Sequence, residues 1–280
     1  MKTLFISSQS PSISIGGIER HIKNFIDYCI YYDKDVIFLL PADTKEERTS
    51  VGRVTIIKKD FLKLSYRKVF NKKETPRAEI KKKSKDFFDF VTTIIKEEQV
   101  AIVNAQNFHL DLPPVYNLML NMACFLKEVP MVLQMHSFIK TEMHKSLVND
   151  LSWEKILCVS KSVAGDCFSK AINIDRLHTQ YLGVDRKGFK PYLDGGWLKK
   201  KLGVPDNTKI ILHASRIISG TKDILKEKGI ITLMEAFSQI AIKDPLVRLV
   251  IAVATPPKRL KSEFLYALET NLKESRGISS

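Results

Sequence analysis

Apolar residues along the chain fall into short runs that are hydrophobic almost throughout, separated by longer segments in which they recur every three or four positions. The runs are LFIS (4–7), DVIFLL (35–40), RVTIIK (53–58), VAIVNA (100–105), PMVLQMH (130–136), KILCVS (155–160), KIILHAS (209–215) and RLVIAVA (248–254). Their β-branched and large side chains predict strands, and the lack of strict alternation predicts burial on both faces. Between them, IERHIKNFIDYCIYY (18–32), DFFDFVTTIIKEEQ (86–99), VYNLMLNMACFLKE (115–128), SVAGDCFSKAI (162–172) and IITLMEAFSQIAIK (230–243) carry the helical period. Strands alternating with helices predict an α/β protein with doubly wound, mostly parallel, Rossmann-like sheets.

Glycine, proline and aspartate collect in GVDRKGFKPYLDGGWLKKKLGVPDN (183–207). This punctuation places a domain joint near Pro191, giving a first domain over 1–190 and a second over 191–280. Only two strand runs follow the joint, and the sequence ends in KESRGISS without a further helix or strand. The second domain is therefore expected to be incomplete, because a two-stranded doubly wound sheet leaves its faces and edges uncovered.

Composition narrows the class. The 280 residues are 44% hydrophobic and 27% charged, as in an ordinary globular chain. No stretch reaches the roughly 18–20 apolar residues of a membrane span, and the apolar run near Met1 is too short for a secretory signal. Cys29, Cys124, Cys158 and Cys167 form no CxxC pair and do not cluster with histidine, so they read as reduced core thiols of a cytoplasmic protein that binds no metal.

The net charge of +14 is concentrated: Arg53 to Lys85 holds 13 Lys/Arg against 3 Asp/Glu. Such a block is either a solvated face or a surface for anions, among them an acidic membrane, which would place the protein peripherally on its inner face. Nucleic acid is disfavoured, since no helix-turn-helix, zinc finger or RNP-type motif accompanies the charge.

Three places carry candidate chemistry. Gly16 and Gly17, between the first strand and first helix, give a turn before a helix N-terminus that can seat a phosphate. Taken alone, a purely structural turn explains them better. His136 and then Ser137 fall at the end of PMVLQMH, where open parallel sheets bind ligands, although a histidine satisfied by its own backbone surroundings fits equally. His109 and His144 lack that placement and are expected in loops or on the surface. In HASRIISGTKDILKEKGIITLMEAF (213–237), Arg216 ends a strand and Lys228 precedes a helix. Their cations suit a diphosphate, with Lys222 competing for the lysine role, against the plainer reading of a solvated Lys/Arg face.

In order along the chain, GGIER, His136, CVSKSVAGDCFSK, GVDRKGFKP, SRI…EKGIITLMEAF and RLVIAVA resemble the family 4 retaining glycosyltransferases of GT-B architecture. The resemblance implies two facing Rossmann-like domains and sugar transfer, with retention and without a metal or cofactor, from a UDP- or GDP-linked donor to a hydroxyl acceptor on a glycan or lipid carrier. It implies that Gly16, Gly17 and His136 line the donor cleft with Glu19, Ser137 and Ser160, and that Arg216 and Lys228 (or Lys222) hold the diphosphate. That family continues to two glutamates seven residues apart, and this sequence stops before them. RLVIAVA also runs into TPPKR rather than a glycine-rich turn, and YLGVD lacks the usual asparagine. The departures raise two alternatives: half of an enzyme completed by a second polypeptide, or a basic Rossmann-like protein that binds nucleic acid.

Overall fold

The structure, a computed structural model, describes residues 1–13, 16–64, 77–186, 188–190, 194–215 and 222–253. The chain divides into two compact units, Met1–Arg186 and Lys187–Ser280. The joint read from the sequence lies at Pro191, within 191–193, which fall outside the described residues.

The first unit is built on an eight-stranded sheet of β1 (Lys2–Ser7), β2 (Val36–Pro41), β3 (Glu47–Val51), β4 (Val54–Lys59), β5 (Val100–Gln106), β6 (Met131–Met135), β7 (Trp153–Cys158) and β8 (Leu177–Thr179). The strand order is β3-β4-β2-β1-β5-β6-β7-β8, parallel except for the β3–β4 hairpin at the edge. Its helices are α1 (Gly17–Tyr31), α2 (Arg77–Glu97), α3 (Phe108–Asp111), α4 (Pro114–Leu126), α5 (Glu142–Asn149) and α6 (Lys161–Ser169).

Burial on both faces explains the unbroken apolar runs. Leu4 and Ile6 of β1 join one core with Phe87 and Val91 of α2 and Tyr116 and Leu120 of α4. Phe5, between them, points to the other core with Ile22 and Cys29 of α1 and Phe38 of β2. Each such fully buried large side chain contributes about 1.5–3 kcal/mol. Tyr116 adds a tie across the layers, its hydroxyl donating to the Phe61 carbonyl at 2.6 Å. All four cysteines are buried and free.

The second unit pairs β9 (Lys209–Ser215) with β10 (Val247–Val253) in parallel. The unit also holds α7 (Gly196–Leu202), α8 (Lys222–Glu227) and α9 (Ile230–Lys243), with a small core of Leu225, Ile230 and Met234 against Leu249 and Ile251.

The eight strand runs are all present. The sequence pattern missed β3, whose ERTSV is mostly solvent-facing and so carries no apolar signature, and the three-residue β8. Helix α2 starts nine residues before the predicted Asp86, because Ser84 and Phe87 continue the buried stripe of Val91, Ile94 and Ile95 through a lysine-rich first half. Among the described residues, no helix is long and apolar enough to cross a membrane.

Candidate functional site

The strand order reverses direction about β1 and β5: from β1 the chain moves outward to β2 and β4, and from β5 it moves the other way to β6 and β7. In open parallel sheets the crevice beyond the carboxyl ends at such a switch point is where ligands bind. The loops leaving β1, β5 and β6 bring Gly16–Gly17, Asn107–His109 and His136–Ser137 to this edge.

Gly16 is the N-cap of α1, with φ −158°, and as glycine it has no side chain to cap the helix. That is extended backbone open to any residue, so the turn itself does not demand glycine. A Cβ added at Gly17 would meet nothing within 4 Å. Packing within the protein does not demand glycine there either. What Gly17 leaves is open space at the N-terminus of a 15-residue helix, whose partial positive charge favours an anion. Glu19, in the first turn, is buried.

His136 follows the last residue of β6. Its backbone N–H donates to the Asn107 side-chain oxygen at 3.2 Å, and its Nε2 lies 2.8 Å from the Gln106 side-chain oxygen. Asn107 takes the left-handed conformation, φ 48°, which asparagine tolerates better than most side chains. The His21 ring of α1 sits 5.5 Å from that of His136, centre to centre. Burial, with His21 adding, pushes His136 down to about 3, and burial lowers His21 as well, so both rings are neutral near pH 7.

The loop after β6 is latched to α6. Asp166 accepts from the Ile139 N–H at 2.9 Å and pairs with Lys170 at 2.7 Å, and Lys170 donates to the Ile139 carbonyl. Ser160, expected along the cleft, is the N-cap of α6 and accepts from the Val163 N–H at 3.2 Å. Ser137, beside His136, is half-buried.

His109 and His144 correct the sequence reading. They are neither surface nor loop residues: His109 is 1% and His144 4% exposed, with rings edge to face at 6.3 Å. His109 makes no side-chain hydrogen bond with any described residue, and burial, with smaller contributions from His144 and His136, pushes it down to about 3. The signals were present in the sequence: His109 lies inside FHLDL immediately after a strand end, and His144 stands three and four positions before Leu147 and Val148, on the buried face of a helix capped by Thr141.

In the second unit, Arg216 lies outside the described residues, as does the chain from residue 254 onward, TPPKR (255–259) included. Lys222 starts α8. Lys228 stands between α8 and α9, 3.2 Å from Glu227, and Gly229 behind it takes φ +69°, a conformation that favours glycine.

Part of the basic block, 65–76, also lies outside the described residues. Of its nine described Lys/Arg, six have an acidic partner: Arg53, Lys58, Lys59, Lys63, Lys83 and Lys85 pair with Asp35, Asp43, Glu46, Asp60 and Asp89 among others. Among the described residues, no group of three or more His, Cys, Asp or Glu comes together in a way that could hold a metal ion.

No protein-family profile and no curated protein matches the chain. Solved structures do. A glycosyltransferase from Rickettsia africae aligns with a TM-score of 0.66 at 19% identity, over 98% of this chain and 65% of its own. HepE of Anabaena in complex with UDP and glucose aligns at 0.62 and 16% identity, over 100% of this chain and 67% of its own. The lipopolysaccharide outer core galactosyltransferase WaaB aligns at 0.56 and 14% identity, over 98% and 66%. At these identities the likeness is one of fold: the chain has the α/β, Rossmann-like GT-B fold and spans about two thirds of the length of these structures.

Proposed function

We propose that this chain is the nucleotide-sugar-binding part of a retaining glycosyltransferase, moving a sugar from a UDP- or GDP-linked donor to a hydroxyl acceptor. The observation that carries the reading is the grouping, at the sheet's switch point, of the α1 N-terminus, with open space at Gly17, and a neutral, hydrogen-bonded His136. The fold supports it, being shared with HepE, whose solved complexes contain UDP with glucose and UDP-glucose.

The chemistry fits those parts. As the sugar–phosphate bond breaks, negative charge builds on the departing nucleoside diphosphate, and fixed dipoles and cations lower the barrier by meeting it. The α1 N-terminus supplies such a dipole, and Arg216 with Lys228 or Lys222 the cations. A neutral imidazole at His136 hydrogen-bonds a sugar or acceptor hydroxyl without adding charge beside it. The acceptor is a glycan or a lipid-linked group, and the basic 53–85 block attracts an anionic membrane surface.

Calorimetric titration of UDP- and GDP-sugars into the chain and into Arg216→Ala tests the reading. Micromolar binding by the parent that the variant loses supports it and identifies the nucleotide. A folded parent that binds neither sugar nucleotide overturns it for this chain.

A further inference from the structure

The polar groups behind His136 have a direction. Asn104 and Gln106 lie two apart on β5, and so on one face of the strand, and Gln106 is opposite Gln134 of β6 in the parallel register. Gln106 is wholly buried and Gln134 is 5% exposed. Carboxamides at that depth are costly unless their donors and acceptors are used. The Gln106 side-chain nitrogen spends both protons, one on the Gln134 oxygen at 2.9 Å and one on the Asn104 oxygen. Its own oxygen is then what faces His136 Nε2, at 2.8 Å. A carbonyl oxygen has no proton to give, so the imidazole must donate.

We infer that Gln106 is a positioning residue that fixes His136 as its Nε2–H tautomer and thereby presents the Nδ1 lone pair to a ligand hydroxyl. Nδ1 makes no hydrogen bond with any described residue, and the Asn107 side chain holds the His136 backbone in place. The consequence is a polarity. His136 accepts from a hydroxyl instead of donating to one, which selects a ligand OH over an ether or ring oxygen at that position. The inference rests on the proposed role of His136 as the group that meets the sugar or acceptor. Reversing the polarity would require the carboxamides of Gln106, Gln134 and Asn104 to turn over together.

Imidazole ¹⁵N–¹H correlation NMR on the uniformly ¹⁵N-labelled chain at pH 7.5 tests it, with the His136 ring assigned by its disappearance in His136→Asn. The parent should show a single tautomer, protonated at Nε2, whose proton is slow to exchange with water. Gln106→Leu should lose that protected proton, and Gln106→Glu, which keeps an acceptor oxygen in place, should retain it. A parent ring protonated at Nδ1 overturns the inference without any variant having to fold, and so does a Gln106→Leu ring that keeps a protected Nε2–H. Sugar-nucleotide calorimetry on His136→Asn separates the two claims. Unchanged affinity there, with the Nε2–H tautomer seen in the parent, refutes the functional reading of His136 and leaves the tautomer assignment standing.

Discussion

Lowering the pH from 7.5 to 5.5 should cost the first unit about 3 kcal/mol of stability, most of it from two histidines. His109 and His136 are both held down to about 3 by burial, against an unfolded value of 6.5. Between those values the unfolded chain takes up a proton that the native site refuses. Stability is therefore fully present above about 6.5 and is lost as the pH falls toward 3. At 1.36 kcal/mol per unit, the step to pH 5.5 costs about 1.4 kcal/mol for each residue. His21 and His144, lowered first by burial, push the same way. Carboxylates do not confuse the result. Lys83 beside Asp60 and Lys2 beside Glu98 hold those acids below their usual values, so they stay ionised, folded or unfolded, across this window. The assay is urea unfolding followed by tryptophan fluorescence. With two tryptophans in the chain, Trp197→Phe leaves buried Trp153 as a probe of the first unit alone. In that background His109→Leu should shrink the acid penalty by about half, whatever it does to stability at pH 7.5. An undiminished penalty in the variant, or none in the parent, would refute the reasoning.

Two further outcomes follow from the same edge of the sheet and from the charged face. Asp166→Ala removes the acceptor of the Ile139 N–H and strands the half-buried Lys170. The Ile139 amide should then exchange with deuterium at least about tenfold faster, the equivalent of about 1.4 kcal/mol of lost protection; an unchanged rate would show that the latch does not hold the loop. Vesicle pelleting should depend on anionic lipid and weaken with salt, by about 1 kcal/mol for each unpaired Lys or Arg that reaches the surface. With six of nine described basic side chains already paired to acids, the binding should be well short of what 13 free cations would give, and indifference to both lipid charge and salt would end the membrane reading.

The fold was legible in the sequence because a central parallel strand has no solvent face. Phe5 between Leu4 and Ile6 is as buried as they are, so the run is apolar without a gap. β3 escaped for the opposite reason, as an edge strand whose residues face water. The site was legible only in part. His136 could be picked out because a polar residue closing an apolar run marks a strand end; Gln106 closes β5 in the same way and was not singled out, and Gln134 lies outside the rule. Gln134 sits inside a strand, with Leu133 and Met135 on either side, and nothing local says that a buried carboxamide there is answered by another on the neighbouring strand. That match is set by the β5–β6 register, which is a tertiary fact. The burial of His109 and of His144 each had a local signal, but their meeting was hidden likewise, since it needs two elements far apart in sequence to pack.

The Gly16–Gly17 pair shows how a structure can remove the ordinary reason for a residue. Glycine before a helix is ordinarily explained by a turn that other residues cannot make. Here the N-cap backbone is extended, and a Cβ on Gly17 would touch nothing. Among the described residues, neither strain at Gly16 nor crowding at Gly17 explains the choice, which fits the proposed approach of a ligand to the helix N-terminus. The first turn of α1 offers its N–H dipoles there, and the neutral imidazoles of His21 and His136 lie close to each other at the same edge of the sheet. The cations proposed for the diphosphate, Arg216 with Lys228 or Lys222, come from the other unit. On the proposed reading, the sugar must be held by hydrogen bonds that survive while the charge forms on the group that leaves.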